Sequence, residues 1–303
     1  ATLAEILNIL EGYDLASLGH LSCAHVHLWT EAVQRAFADR NAYLADPDFV
    51  SLPLERMISD AYAAQRRAEI DSDRATPSGR VQAGMGAIPA AIPAAEPAAA
   101  RGEGAHTTHY SLVDRQGNAV AVTTTINSLY GSQVTVAGAG FLLNNEMDDF
   151  VAKPGVPNAF GLLGGDANSI AAGKRPLSSM TPTIVLEDGE PWFATGSPGG
   201  SRIITSVLQM IVNMIDHQMN LAEATAAPRM HHQWWPDVLQ LESGFSPDTV
   251  RLLRERGHEI QEAQYSMGSL QSVGYRDGVY RGASDPRRPN AASRTPDRRP
   301  DSR

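Results

Sequence analysis

Five short stretches carry side chains whose types and spacing can do chemistry. Thr107 and Thr108 open "TTHY", where an Ala/Pro/Gly-rich stretch gives way to β-favouring residues. A threonine with a free α-amine has a base beside its own hydroxyl and can act as a nucleophile without a separate histidine. Thr107 is internal, so that chemistry requires the bond between His106 and Thr107 to break first. The plainer reading is the start of a strand, since Thr favours strands.

The other four stretches each allow a chemical and a bland reading. In "TTTIN", Thr125 and Asn127 fall on one face of a strand and can meet a substrate, or can simply end that strand. In "LLNNEMDDF", Glu146 and Asp149 lie three apart beside Asn144 and Asn145, which suits an ammonium group or a solvated turn. No complete calcium-loop spacing is present there. Ser178 and Ser179 follow Lys174 and Arg175, which makes either a carboxylate seat or a capped turn. In "ATGSPGGSRIITSV", Gly199 and Gly200 lie between a strand and a helix start, where exposed backbone N–H groups make an oxyanion or anion site. It has neither the lysine of a P-loop nor the spacing of a nucleophile elbow.

The elements that must position these residues follow from periodicity. "AHVHLWTEAVQRAFADRNAYL" places Val26, Trp29, Val33, Phe37 and Leu44 at helical spacing, and residues 1–75 read as helical. Residues 76–106 are rich in Ala, Pro and Gly and read as a linker. "HYSLVD" and "AVAVTTTI" around "RQGN", and "PTIVLE" and "PWFATG" around "DGE", are two hairpins. "SRIITSVLQMIVNMIDHQM" has a wide apolar helical face of Ile203, Ile204, Val207, Leu208, Ile211, Met214 and Ile215. Ser246, Pro247 and Gly257 bracket another helix. Residues 288–303 are polar and Pro/Arg-rich and are expected to be a disordered tail. The sum is a layered α+β domain with antiparallel sheets stacked between helices.

Composition excludes several function classes. A net charge of −9 without a basic stripe argues against a nucleic-acid partner. No apolar run is long enough to span a bilayer. The single cysteine, Cys23, allows no internal disulfide and reads as a small buried apolar residue. His25, His27, His231 and His232 lack a strong metal-ligand pattern and read as satisfied polar residues; no metal and no cofactor is expected. "QWW" at 233–235 reads as packing.

Taken together and in order, the motifs resemble the gamma-glutamyltranspeptidase family of N-terminal-nucleophile hydrolases. The stretches that carry the resemblance are "TTHYSLVDRQGNAVAVTTTIN", "GFLLNNEMDDF", "KPGVPNAFGLLGGDAN", "KRPLSSMTPTIV", "TGSPGGSRIITSVLQMIVN" and "APRMHHQWWPD", within residues 6–287. The resemblance implies an αββα four-layer sandwich, truncated at its N-terminus. It implies self-cleavage between His106 and Thr107, giving a large-subunit piece, whose helical C-terminal part is 1–75, and a small subunit over 107–287. Thr107 is then the nucleophile toward glutathione or another γ-glutamyl amide, with water, an amino acid or a peptide as acceptor. By the same resemblance Thr125 bonds the nucleophile; Asn127, Glu146 and Asp149 hold the donor's amino-acid end; Ser178 and Ser179 bind its carboxylate; Gly199 and Gly200 form the oxyanion hole. Phe160 stands at the tip of a lid loop, where bacterial relatives often have Tyr. An arginine from upstream of Ala1 is expected to pair with the donor carboxylate, and no residue in 1–106 is assigned that role. The implied location is periplasmic or secreted. Two other readings stand beside this one: a glutaryl or cephalosporin acylase, and an inactive truncated homologue with a binding or structural role.

Overall fold

The computed structural model describes residues 1–86, 107–263, 266–276 and 278–294. His106, most of the linker and residues 295–303 lie outside the described residues. Five helices come first: Thr2–Leu10 (α1), Leu15–Leu18 (α2), Cys23–Tyr43 (α3), Leu54–Met57 (α4) and Asp60–Arg67 (α5). Helix α3 runs for 21 residues because no Gly or Pro interrupts it and Ser22 caps it, its Oγ accepting from His25 N at 3.2 Å.

The predicted hairpins form Thr108–Val113 (β1) with Ala119–Thr124 (β2), and Thr183–Glu187 (β3) with Glu190–Thr195 (β4). Asp114 closes the first turn by accepting from Gln116 N and Asn118 N, and Gly117 takes a φ of 86° there. Then follow Arg202–Ile215 (α6), Leu221–Ala226 (α7), Met230–His231 (β5), Leu239–Leu241 (β6), Pro247–Glu255 (α8), Ile260–Glu262 (β7), Gln271–Arg276 (β8) and Val279–Ser284 (β9). The sheets are β1-β2, β3-β4-β8-β9 and β5-β6-β7.

Helix α6 sits between two cores. Ile204, Leu208 and Val212 pack with Ile6 and Ile9 of α1 and with Val26, Trp29, Val33 and Phe37 of α3. Val207, Met210, Ile211 and Met214 pack with Phe193 of β4, Leu221 and Ala224 of α7, and Ala283 of β9. Ile215, expected on the apolar face, is exposed. The β1–β2 hairpin lies against the four-stranded sheet, and Ser111 Oγ donates to Gln271 O at 3.0 Å between them. Its inner face carries Thr107 and His109; its outer face exposes Tyr110, Leu112 and Val120. The site therefore starts at the foot of β1, on the hairpin face that packs against the four-stranded sheet.

Three expectations change in detail. Residues 76–86, read as linker, are anchored on α3: Thr76 N donates to Glu31 Oε1 at 2.8 Å and Gln34 Nε2 to Ser78 Oγ at 2.7 Å. Residues 288–294 of the expected tail are also held, with Arg288 donating to Thr107 O and Ser293 bonding Ser284. Cys23 is only half-buried. These contacts rest on single polar side chains, which leave no apolar periodicity to read.

Candidate active site

Thr107 is buried at the foot of β1, 8% exposed. Extending the register one step past Thr108↔Thr124 sets it opposite Thr125, and its Oγ1 donates to Thr125 Oγ1 at 3.1 Å. Thr125 Oγ1 also accepts from Asn127 N at 2.9 Å. The second strand ends at Thr124, so a shared strand face is not what places Asn127. Its φ of 71° turns the chain back, and its Nδ2 donates to Asn145 O at 3.1 Å. Asn tolerates that left-handed conformation better than most residues.

The acids follow in a 3-10 turn, Glu146–Asp149. Asn144 Oδ1 accepts from Glu146 N, and Asn145 clamps Ser128 through both ends of its amide. Burial, then the charge and hydrogen bond of Glu146, push Asp149 up to about 7, and Arg40 opposes this. Two carboxyl groups that close share a proton unless a cation arrives between them.

Gly199 and Gly200 have φ values of 137° and 56° at the entry to α6. A Cβ on Gly199 would sit 3.3 Å from Gly268 Cα, so side chains are excluded twice over there. Arg202 N and Ile203 N at the start of α6 donate to Gly199 O and Gly200 O, at 3.0 and 3.1 Å, and close this turn. Phe160 is held by its own loop: its N donates to Asn158 Oδ1, its O accepts from Gln233, and Ala159 N donates to Asp148 Oδ2. The loop that carries Phe160 is thus tied to the acid turn.

One cavity of about 530 Å³ gathers Thr107, Thr125, Asn127, Glu146, Asp149, Phe160, Ser178, Ser179, Gly199 and Gly200 in its walls. That volume suits a small peptide-like ligand. A larger cavity, about 750 Å³, runs along β1 and residues 288–294 and holds none of these ten.

The cation near the serines is not the expected one. Lys174 Nζ donates to Ala167 O, and Arg175 pairs with Asp46 and Asp48. Instead Arg40, from α3, donates through Nη2 to Ser179 Oγ at 2.9 Å and to Ser178 O at 3.3 Å. Burial lowers its pKa to about 10, so it stays charged at neutral pH. Arg40 does not line the cavity; it stands behind Ser179 and Asp149. Sequence reasoning missed it because α3 buries charged residues beside apolar ones: Glu31, Arg35, Asp39 and Arg40 are all inside. An arginine three residues from the end of an otherwise core-forming helix was the available signal.

The histidines divide. His231 bonds Thr205 and Gln233, and His232 accepts from Trp234 N, as expected of satisfied residues. His25 does not fit: its Nε2 is buried without a partner. His109, two residues after Thr107, bonds Thr123 and Ser111, and burial lowers it to about 4. Both ring nitrogens are engaged away from Thr107, so His109 braces the hairpin rather than serving as a base there.

The helix–sheet–sheet layering with a threonine at the inner start of a strand is that of the N-terminal-nucleophile hydrolases. Within that class the chain belongs to the gamma-glutamyltranspeptidase family, whose family model matches residues 1–295. It is 51% identical over 286 residues to the glutathione hydrolase proenzyme of Escherichia coli, covering 94% of this chain and 47% of that protein. The chain thus spans about half the length of that relative. Among solved structures, Helicobacter pylori gamma-glutamyltranspeptidase is similar at TM-score 0.58 and 54% identity, over 60% of this chain and 100% of that one. Cephalosporin acylase from Bacillus halodurans is similar at TM-score 0.75 and 26% identity, over 94% of this chain and 47% of that one.

Proposed function

We propose that the protein cuts itself before Thr107 and then transfers or hydrolyses the γ-glutamyl group of glutathione and related amides. The observation that carries this reading is the Thr107–Thr125 hydroxyl pair at 3.1 Å in one cavity with the Glu146–Asp149 acids and the Gly199–Gly200 turn.

In the first step Thr107 Oγ attacks the carbonyl carbon of His106. The C–N bond breaks, the nitrogen takes the proton that Oγ gives up and becomes the free Thr107 amine, and an ester between His106 and Oγ remains. Water hydrolyses that ester, which frees the Thr107 hydroxyl and leaves a carboxylate on His106. In turnover the amine takes the Oγ proton as Oγ attacks the donor's γ-carbonyl, and the oxyanion faces the N–H groups at Gly199 and Gly200. The leaving amine takes that proton, and water or an acceptor amine then releases the glutamyl group.

Glu146 and Asp149 suit the donor's ammonium, which supplies the missing cation between them. Ser178 and Ser179, the latter held by Arg40, suit its carboxylate. The two pieces made by cleavage would stay together, because α1 and α3 share a core with α6. Among the described residues no helix is long and apolar enough to cross a membrane; a periplasmic or secreted location rests on the family alone. Intact mass after incubation at neutral pH tests the cleavage, with pieces 1–106 and 107–303 expected. Parallel rates on γ-glutamyl and glutaryl anilides test the donor. Preference for glutaryl would move the protein to the acylases, and an uncut chain would sink the nucleophile.

A further inference from the structure

Far along α3 from Arg40, three side chains from distant parts of the chain converge. His27 and Glu31 are one turn apart on α3 and are buried, and His258 comes from the turn that follows α8, its N donating to Leu253 O. One donor atom from each lies within 4.8 Å of the others. His27 Nδ1 and His258 Nε2 are 2.8 Å apart.

We infer that His27, Glu31 and His258 form a binding site for a divalent transition-metal ion of the zinc type, which clasps α3 to α8. Two imidazoles and a carboxylate are a donor set that Zn²⁺ takes, with a fourth position left for water.

The proton positions favour this. His27 Nε2 contacts Asp71 O at 2.7 Å, which is a donation, so His27 Nδ1 carries a lone pair toward His258. A ring nitrogen that donates to a backbone carbonyl while its partner nitrogen ligates is the usual outer arrangement of metal-bound histidine. Glu31 Oε1 accepts only from Thr76 N among the described residues, while Oε2 takes Arg35 and Thr76 Oγ1. An oxygen with one such bond has a lone pair to spare. The 2.8 Å contact places a hydrogen on His258 Nε2, pointing at His27 Nδ1, and binding a metal requires His258 to take its other neutral tautomer, with that hydrogen on Nδ1. Arg256 opposes a cation there; Asp71 and Asp237 favour one. Tetrahedral geometry needs the two nitrogens about 3.3 Å apart, a small outward shift of His258.

The consequence is a cross-link. His27 and Glu31 precede Thr107 and His258 follows it, so an ion here joins the two pieces that the proposed self-cleavage would make. That consequence rests on the cleavage reading; the site itself does not.

The test is Zn²⁺ alone on the purified, chelator-stripped full chain. One equivalent retained through gel filtration is expected, with a rise in Tm and a Co²⁺-substituted protein showing tetrahedral visible absorption. His258→Gln, which keeps a hydrogen-bonding amide beside His27, should lose more than the roughly 10–100-fold that an outer partner costs. His27→Gln should do the same. The Thr107→Ala protein is titrated in parallel, so that failure to self-cleave leaves the metal result readable. No retained Zn²⁺ with an unmoved Tm, or binding unchanged in both histidine variants, overturns the site.

Discussion

Two acidic clusters in this protein are built from the same residue types and behave in opposite ways. At the candidate site, Glu146 and Asp149 face each other, and burial holds Asp149 up to about 7. At the junction of α7, β9 and the loop after β6, Asp285 and Glu242 meet Arg229 and Arg287. Arg229 is buried and pairs with Asp285; Arg287 reaches both Glu242 and Asp285. Burial raises those two acids as well, yet the arginines bring both below their ordinary values. A buried acid whose cations are all in the chain is structure, and one that lines a cavity with its nearest cation behind it is a candidate for a ligand.

The largest expected effect is Thr107→Ala, which should abolish both cleavage and turnover; intact mass and donor hydrolysis would show it, and a processed, active variant would refute the nucleophile. Next comes the closed cluster. Arg229→Met leaves Asp285 buried without its main partner and should cost about 3–5 kcal/mol of stability in denaturant unfolding. A loss below about 1 kcal/mol would show that water already screens the pair.

The open cluster should respond the other way. Asp149→Asn should raise the donor KM by one to two orders of magnitude, since a charge-assisted bond is worth about 1.5–3 kcal/mol. It should also stabilise the free protein at pH 8 by about 1 kcal/mol. The sign follows from Asp149 lying at about 7 when folded against an ordinary 3.8. The folded state holds a proton that the unfolded chain has released, so this group's contribution is full below pH 3.8 and is lost as pH rises through 7. Wild-type donor affinity should improve across that upper limb, and Asp149→Asn should flatten it. A destabilised Asp149→Asn protein would erase the contrast between the clusters. The smallest effect is expected for Arg40→Lys, which keeps the charge but loses the planar reach to Ser178 and Ser179. About a tenfold rise in donor KM with little change in kcat is the expected pattern; a change confined to kcat would remove Arg40 from donor positioning.

Much of the fold was legible. Both hairpins, α6 and α8 appear where turn residues, apolar period and caps place them, because those signals act within a few residues. The candidate site was legible as motifs and only became a site by resemblance. No local rule ties Thr107 to Gly199, or Asn127 to Asn145; Asn127 sits off the strand that the sequence pattern gave it.

What the sequence determined by itself is the set of short-range choices: where strands turn, where helices start, and which residues carry hydroxyl, acid or glycine. Only the tertiary structure decided which charges are answered. Arg40 rather than Lys174 or Arg175 stands beside the serines, His27 meets His258 across 231 residues, and one acid pair is closed while the other is open. Burial sets the energy of a charge, and burial is a property of the whole packed chain, which no window of neighbours contains.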